Sequence, residues 1–187
     1  MKNIFLVSDT HFSHMGVCKF TRRDGVTKLR PWDSPEEMDE AMVEKWNSVV
    51  NPHDKVYHLG DVVMKVKDLD IMRRLNGDKV LIRGNHDIFD MKDYAKHFRD
   101  IRGCHVLDGM IMSHIPLHPE SMGRFGCNIH GHTHANSVML NDALDPRYFC
   151  VCVEQTDFAP ISFDVVKERI IAQGGNVGFL ENEYKPA

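Results

Sequence analysis

No apolar run in these 187 residues approaches the ~20 residues that a membrane-crossing helix needs. The start, Met1 to Val7, is too short and too soon interrupted by Asp9 for a secretory leader, so a cytoplasmic protein with no membrane partner is expected. An excess of positive charge is also missing: 23 Lys and Arg stand against 27 Asp and Glu, for a net charge of −4 and a pI near 6.3. Gripping long nucleic acid through its phosphates takes the opposite balance, which leaves a small anionic substrate as the expected partner. Paired cysteines are lacking too. The five present, Cys18, Cys104, Cys127, Cys150 and Cys152, are odd in number and fit no zinc-knuckle spacing, so they read as reduced thiols. Cys150 and Cys152, two apart in the run from Tyr148 to Val153, are expected on one face of a buried strand. There is no internal repeat, low-complexity tract or linker. With 42% hydrophobic residues, one domain over 1–187 with no cap module and an open site is expected.

What the chain has in excess is histidine, twelve in all, and the clustering matters more than the number. Residues 3–8 form an apolar run ending at Asp9, which reads as a buried strand opening into a loop. Ser34-Pro35-Glu36-Glu37 is a capping box ahead of a helix with Met38, Ala41, Met42, Trp46 and Val49 on one face. The run from Lys55 to Leu59 leads as a strand into Gly60-Asp61. A second helix is expected from about Val66 to Asn76, with Leu69, Met72 and Leu75 inward and Gly77 at its C-terminal end. The strand Lys79 to Ile82 then delivers Gly84-Asn85-His86-Asp87. Three apolar strands thus end at polar, ligand-type residues, the pattern of a layered α/β domain with its site at the carboxyl edge of a sheet. Further on, Cys104 to Ser113 reads as a hairpin about an Asp108-Gly109 turn running into His114. Asn128-Ile129-His130 leads into Gly131-His132-Thr133-His134, and Ser162 is placed to cap a final helix through Val165, Val166 and Ile170.

Asp9-x-His11 and Gly60-Asp61 are weak signals alone, whereas Gly-Asn-His-Asp and Gly-His-Thr-His are specific. Their order, each at an expected strand end, is more informative than any one of them. Mixed imidazole, carboxylate and amide donors suit divalent manganese, iron, cobalt, nickel or zinc, and two ions sharing a carboxylate need about seven or eight donors.

On these motifs the sequence resembles the calcineurin-like metallophosphoesterase superfamily, from Asp9 to His134. Asp9-Thr10-His11-Phe12-Ser13-His14, Arg30-Pro31-Trp32, Val56 to Asp61 and Leu81 to Asp87 resemble a narrower group of small bacterial and phage phosphoesterases within it. The resemblance implies a layered α/β/β/α sandwich with mixed sheets, and two divalent ions, manganese foremost. It implies that Asp9, His11 and His134 hold one ion, that Asn85, His114 and His132 hold the other, and that Asp61 bridges both. A hydroxide shared by the ions would then attack phosphorus, with His86 assisting the leaving group. A departure sets the chain apart from protein serine/threonine phosphatases: Met64 stands where that branch has an Asp paired with the catalytic histidine. The partner of His86 is therefore open, and Asp87 either orients it or caps the next turn.

His14, Arg30 and Arg83 are candidate substrate contacts, each weighed against a structural role. His58 and His130 are expected to be buried and hydrogen-bonded rather than ligating, and His53, His97, His105 and His118 to lie on the surface. The expected activity is hydrolysis of a small phosphodiester or nucleotide-like phosphate, a diester more than a monoester. The alternatives are a non-catalytic metal-binding scaffold of the same fold, which retention of His86 speaks against, and a nuclease acting on short oligonucleotides.

Overall fold

Alternation along three short apolar strands sets the architecture. In β1 (Ile4–Val7), β2 (Lys55–His58) and β3 (Asp78–Ile82) successive side chains enter opposite layers. Phe5, Val7, Val56 and Leu81 pack into one core, and Leu6, Tyr57, Val80 and Ile82 into the other. The three strands are parallel, and β4 (Asp100–Arg102) extends them beyond β3. A second sheet follows from β5 (Cys104–Leu107), β6 (Met110–Ser113) and β7 (Asn128–His130). After a small hairpin of β8 (Met139–Leu140) and β9 (Ala143–Leu144), β10 (Tyr148–Cys150) joins β7 in parallel. Finally β11 (Ile161–Ser162) returns to the first sheet, antiparallel beside β1. The orders are β11-β1-β2-β3-β4 and β10-β7-β6-β5, and both sheets are mixed. This computed structural model describes residues 2–181.

Helices α1 (Met15–Lys19) and α2 (Pro35–Val49) close the outer core of the first sheet, where Met38, Met42 and Trp46 meet Phe5 and Val56. Ser34 caps α2 by accepting the Glu37 N–H at 3.2 Å. Val49, expected inward, is exposed. The helix stops there, and extended Val50 turns its own side chain into the core. Between the two sheets Met110, Met112 and Ile129 meet Leu6 and Tyr57, and Val166 and Ile170 close this core from the last helix. With single turns α3 (Met91–Tyr94) and α4 (Pro119–Met122) and the last helix, α5 (Phe163–Ala172), the result is the layered α/β sandwich with mixed sheets, without a cap domain among the described residues. No helix among them is long and apolar enough to cross a membrane.

Three further expectations need correcting. Residues Val66–Arg74 form a 3-10 helix and not an α-helix. The inward residues Leu69, Met72 and Leu75 recur every three positions, which is the repeat of that tighter turn. The expected strand Tyr148 to Val153 ends at Cys150, and a 3-10 turn takes over at Val153–Gln155. Ser162 precedes α5 but its side chain makes no capping bond, and the inward residues are Phe163, Val166 and Ile170, with Val165 exposed. The Asp108-Gly109 turn does form, both residues having positive φ as a type I′ hairpin requires.

Candidate metal centre

The carboxyl ends of β1, β2 and β3 meet those of β6 and β7 along one rim. This places Asp9 and His11, Asp61, Asn85 and His86, His114, and His132 and His134 in a single cluster. Asp9, His11, Asp61, His132 and His134 all adopt the left-handed backbone region, with φ between 46° and 69°. Non-glycine residues pay of order 1 kcal/mol each for that conformation, so the loops are held by something beyond local preference.

Two triads form, Asp9 with His11 and His134, and Asp61 with His114 and His132. Within each, one ligand-type atom per residue lies within 4.8 Å of the others. The carboxylates are oriented alike. Asp9 Oδ2 accepts from Ser8 Oγ at 2.6 Å, His132 N at 2.8 Å and Cys152 Sγ at 3.2 Å. Its buried Oδ1 has no hydrogen-bond partner and lies 3.8 Å from both His11 Nε2 and His134 Nε2. Asp61 Oδ1 accepts the His86 backbone N–H at 2.9 Å, while Oδ2 lies 3.6 Å from His11 Nε2 and 3.4 Å from His114 Nε2. One oxygen of Asp61 therefore faces an imidazole from each triad.

Two of the histidines are held from behind. His114 Nδ1 donates to Leu59 O at 2.7 Å, directing Nε2 at Asp61 and at Asn85 Oδ1, 2.9 Å away. His134 Nδ1 donates to Glu154 Oε1 at 3.0 Å, and Glu154 is itself paired with fully buried Arg30 at 2.8 Å. Such carboxylate-histidine pairs fix the tautomer and the ring direction of metal ligands. A buried carboxylate oxygen without a partner, faced by His11 Nε2 and by the Nε2 of a His134 whose Nδ1 is committed to Glu154, is what a divalent cation's donor set requires. The residues fit such a group.

Electrostatics agree with that arrangement. Burial raises the cost of ionising Asp61, yet the His114 hydrogen bond and charge and the His86 N–H override it and hold the carboxyl at about 2. Glu154 is likewise opposed by burial but brought to about 2 by Arg30 and His134. Burial, and after it Arg30, lowers His11 to about 2, so its ring stays neutral. Burial opposes charging His114, and the hydrogen bond and charges of Asp61 and Asp9 outweigh it, raising the group to about 8.

Arg30, expected as a substrate contact, lies beneath the cluster instead. Nη1 and Nη2 donate to Thr10 O and Asp9 O at 2.6 Å, and Nε to Glu154 at 2.9 Å, leaving it fully buried and turned away from the mouth. Arg83 is exposed but grips the Asp87 carbonyl with Nε and Nη2. Asp87 is buried and accepts from Asp61 N, Val62 N and Gly84 N at 2.8–3.1 Å. It therefore ties two loops together, and its carboxylate is committed to their backbones. His86 is exposed, its ring 5.6 Å from that of His11. His14 is half-buried between the rings of His11, at 5.7 Å, and Phe20, at 6.2 Å, with Nδ1 unpartnered.

His58 and His130 are buried and bonded to Thr10 Oγ1 and Gly131 O, respectively. One of the expected surface histidines is covered, the His97 side chain being 4% exposed, and His105 is half-buried, stacked on Tyr57 at 4.9 Å. Glu154 was not singled out from sequence, although it follows the last apolar run much as Asp9 and Asp61 follow theirs. Close approach explains the motif glycines. A Cβ on Gly84 would overlap Asp61 Oδ1, and one on Gly131 would overlap Ser8 Oγ.

No family model matches the chain. In sequence it is 32% identical over 176 residues to the uncharacterized protein MJ1445 of Methanocaldococcus jannaschii, covering 91% of this chain and 92% of that protein. Among solved structures, a protein of unknown function from Aquifex aeolicus, AQ665, shares the fold. Its TM-score is 0.66 at 24% identity, over 90% of this chain and all of that one. A looser likeness is to an archaeal phosphodiesterase, with TM-score 0.43 and 18% identity over 79% of this chain and 82% of that one.

Proposed function

The chain belongs to the family of the M. jannaschii protein MJ1445, which brings no activity with it, and from the site itself we propose that this protein is a metal-dependent phosphoesterase. Its substrate is a small phosphodiester or nucleotide-like phosphate, with diesters preferred. The observation that carries the reading is Asp61 Oδ2, faced at 3.6 Å and 3.4 Å by an imidazole from each of two triads. Asp9, His11 and His134 would hold one divalent ion and His114, His132 and Asn85 the other, with Asp61 between them. Manganese is the first choice. Two such ions would supply Lewis-acid polarisation of a phosphoryl oxygen and of an attacking water.

The chain's own residues do the rest. Asp9 and Asp61, each fixed through one oxygen, present the other without reorganisation. His114 and His134, each tethered through Nδ1, keep Nε2 free to ligate. His86 is anchored by its backbone N–H to Asp61 and keeps its ring at the open mouth, where it can give a proton to a departing oxygen. His14, beside it, lines the approach. The absence of a cap domain among the described residues leaves that mouth open to a diester carrying a substituent on either side.

The test is a panel assay with manganese, using bis-p-nitrophenyl phosphate, p-nitrophenyl phosphate and 2′,3′- and 3′,5′-cyclic nucleotides, with His86→Ala beside the wild type. The diester is expected to be cleaved fastest, EDTA to abolish turnover, and the variant to lose about 10²-fold or more in kcat. Equal turnover by the two proteins, no higher than background, would refute the assignment and favour a binding scaffold.

A further inference from the structure

Beside the metal centre, a cavity of about 420 Å³ has His134 as one wall and the loop around Phe20, Arg22 and Arg23 as another. The loop is a designed ledge rather than loose chain. Thr21 and Lys28 bridge it, Arg22 N donates to Thr27 O at 2.7 Å, and Asp24 accepts from Val26 N, Thr27 N and Thr27 Oγ1 at its tip. At its base Phe20 is 52% exposed, with its ring edge-on to His14, so that His11, His14 and Phe20 make a continuous row of rings from the metal centre into the cavity. Leu29 anchors the ledge in the core. Arg22 and Arg23 are exposed, and among the described residues neither guanidinium makes an ion pair or side-chain hydrogen bond, while the Asp24 carboxylate, whose two oxygens are taken up by Val26 and Thr27, also lines the cavity within reach of the Arg22 charge.

A phosphorus held at the Asp9–His11–His134 triad has this cavity directly at its side, because His134 belongs to both. The cavity's size suits one small organic group. An exposed phenyl ring offers a stacking face to a flat aromatic group, and two unpaired guanidinium groups offer forked donors to a phosphate. We infer that this cavity is a specificity subsite for a nucleotide substituent of the scissile diester, its base stacked on Phe20 and a second, non-reacting phosphate held by Arg22 and Arg23. This rests on the phosphoesterase reading of the same site. It narrows the substrate to a phosphodiester whose substituent carries both an aromatic ring and its own terminal phosphate.

The test compares the dinucleotides pApA and ApA, which differ only in the terminal phosphate, as substrates of the full chain with manganese. The wild type is expected to show a kcat/KM ratio of about tenfold in favour of pApA, carried by KM. R22Q/R23Q should bring the ratio close to one, R22K/R23K should restore part of it, and F20A should raise KM for both substrates. A wild-type ratio near one, or a ratio unchanged in R22Q/R23Q, would overturn the subsite. Bis-p-nitrophenyl phosphate, run alongside, separates the two levels: if it is hydrolysed in a His86-dependent way while the dinucleotide ratio stays flat, only the subsite fails. If it is not hydrolysed at all, the phosphoesterase reading fails first.

Discussion

At the scale of single residues, the side chains beneath the cluster are as informative as those in it. Glu154 is buried, holds His134 through Nδ1 and pairs with Arg30, which in turn binds the carbonyls of Asp9 and Thr10. On the proposed reading Glu154→Gln should weaken manganese binding about 10–100-fold, as losing an outer partner of a ligating histidine does. Isothermal titration of the stripped protein measures it, and unchanged affinity would show that Glu154 only neutralises Arg30. His58 allows a prediction independent of metal. Burial first of all lowers it to about 3 from 6.5, so the folded protein keeps the ring neutral while the unfolded chain takes up a proton below pH 6.5. Its contribution to stability is complete above pH 6.5 and is lost as the pH falls toward 3, at up to ~1.4 kcal/mol per pH unit. Urea unfolding of the EDTA-stripped protein should therefore show the wild type losing about 2 kcal/mol more than His58→Gln between pH 6.5 and 5; parallel curves would contradict it. The motif residues could be read from sequence because acids and histidines at the ends of apolar runs have few structural reasons to be there. Glu154 could not, since its partner His134 is twenty positions away and its burial depends on a turn that replaces the expected strand. For Arg30 the sequence leaves a substrate contact and a structural ion pair both open, because nothing in its neighbours reveals whether a guanidinium points out or in, and the buried pair with Glu154 favours the second.

At the scale of elements, apolar runs and their punctuation were the reliable guide. The β1, β2 and β3 strands lie where short apolar runs ending in polar residues put them, the β5–β6 hairpin forms about the Asp108-Gly109 turn, and α2 starts at its serine cap. Helix type was less legible between Val66 and Arg74, because an inward residue every three positions satisfies a 3-10 turn as well as an imperfect α face. Loop geometry at the strand tips was not legible at all. Those loops pass so close that the glycines of the motifs are spacers between motifs: Gly84 makes room for Asp61, and Gly131 for Ser8 and Asp9. Gly131→Ala should therefore push the β7 tip away from the β1 tip, separating His132 N from Asp9 Oδ2 while leaving both cores intact. The expected result is near-native circular dichroism with manganese affinity and diester turnover each reduced at least tenfold. Wild-type affinity in this variant would mean that the two strand ends are not coupled.

At the scale of the whole molecule, the site exists because two sheets converge. Asp9, Asp61 and Asn85 come from the tips of the first sheet, and His114, His132 and His134 from the tips of the second. Residues as far apart as Asp9 and His132 meet through a 2.8 Å hydrogen bond. The sequence made the layered class and the shared edge legible through the repeated pattern of strand followed by ligand. It did not make legible the return of β11 beside β1, or the order β10-β7-β6-β5, because two-residue and three-residue strands carry too little pattern to assign partners. On the proposed reading this convergence would let two cations bind on either side of Asp61. Electron paramagnetic resonance of the chain titrated with manganese is the sharpest test. Uptake of two ions per chain is expected, with an exchange-coupled spectrum that reverts to an isolated six-line signal in Asp61→Asn. Saturation at one ion, or an uncoupled signal at two, would contradict it.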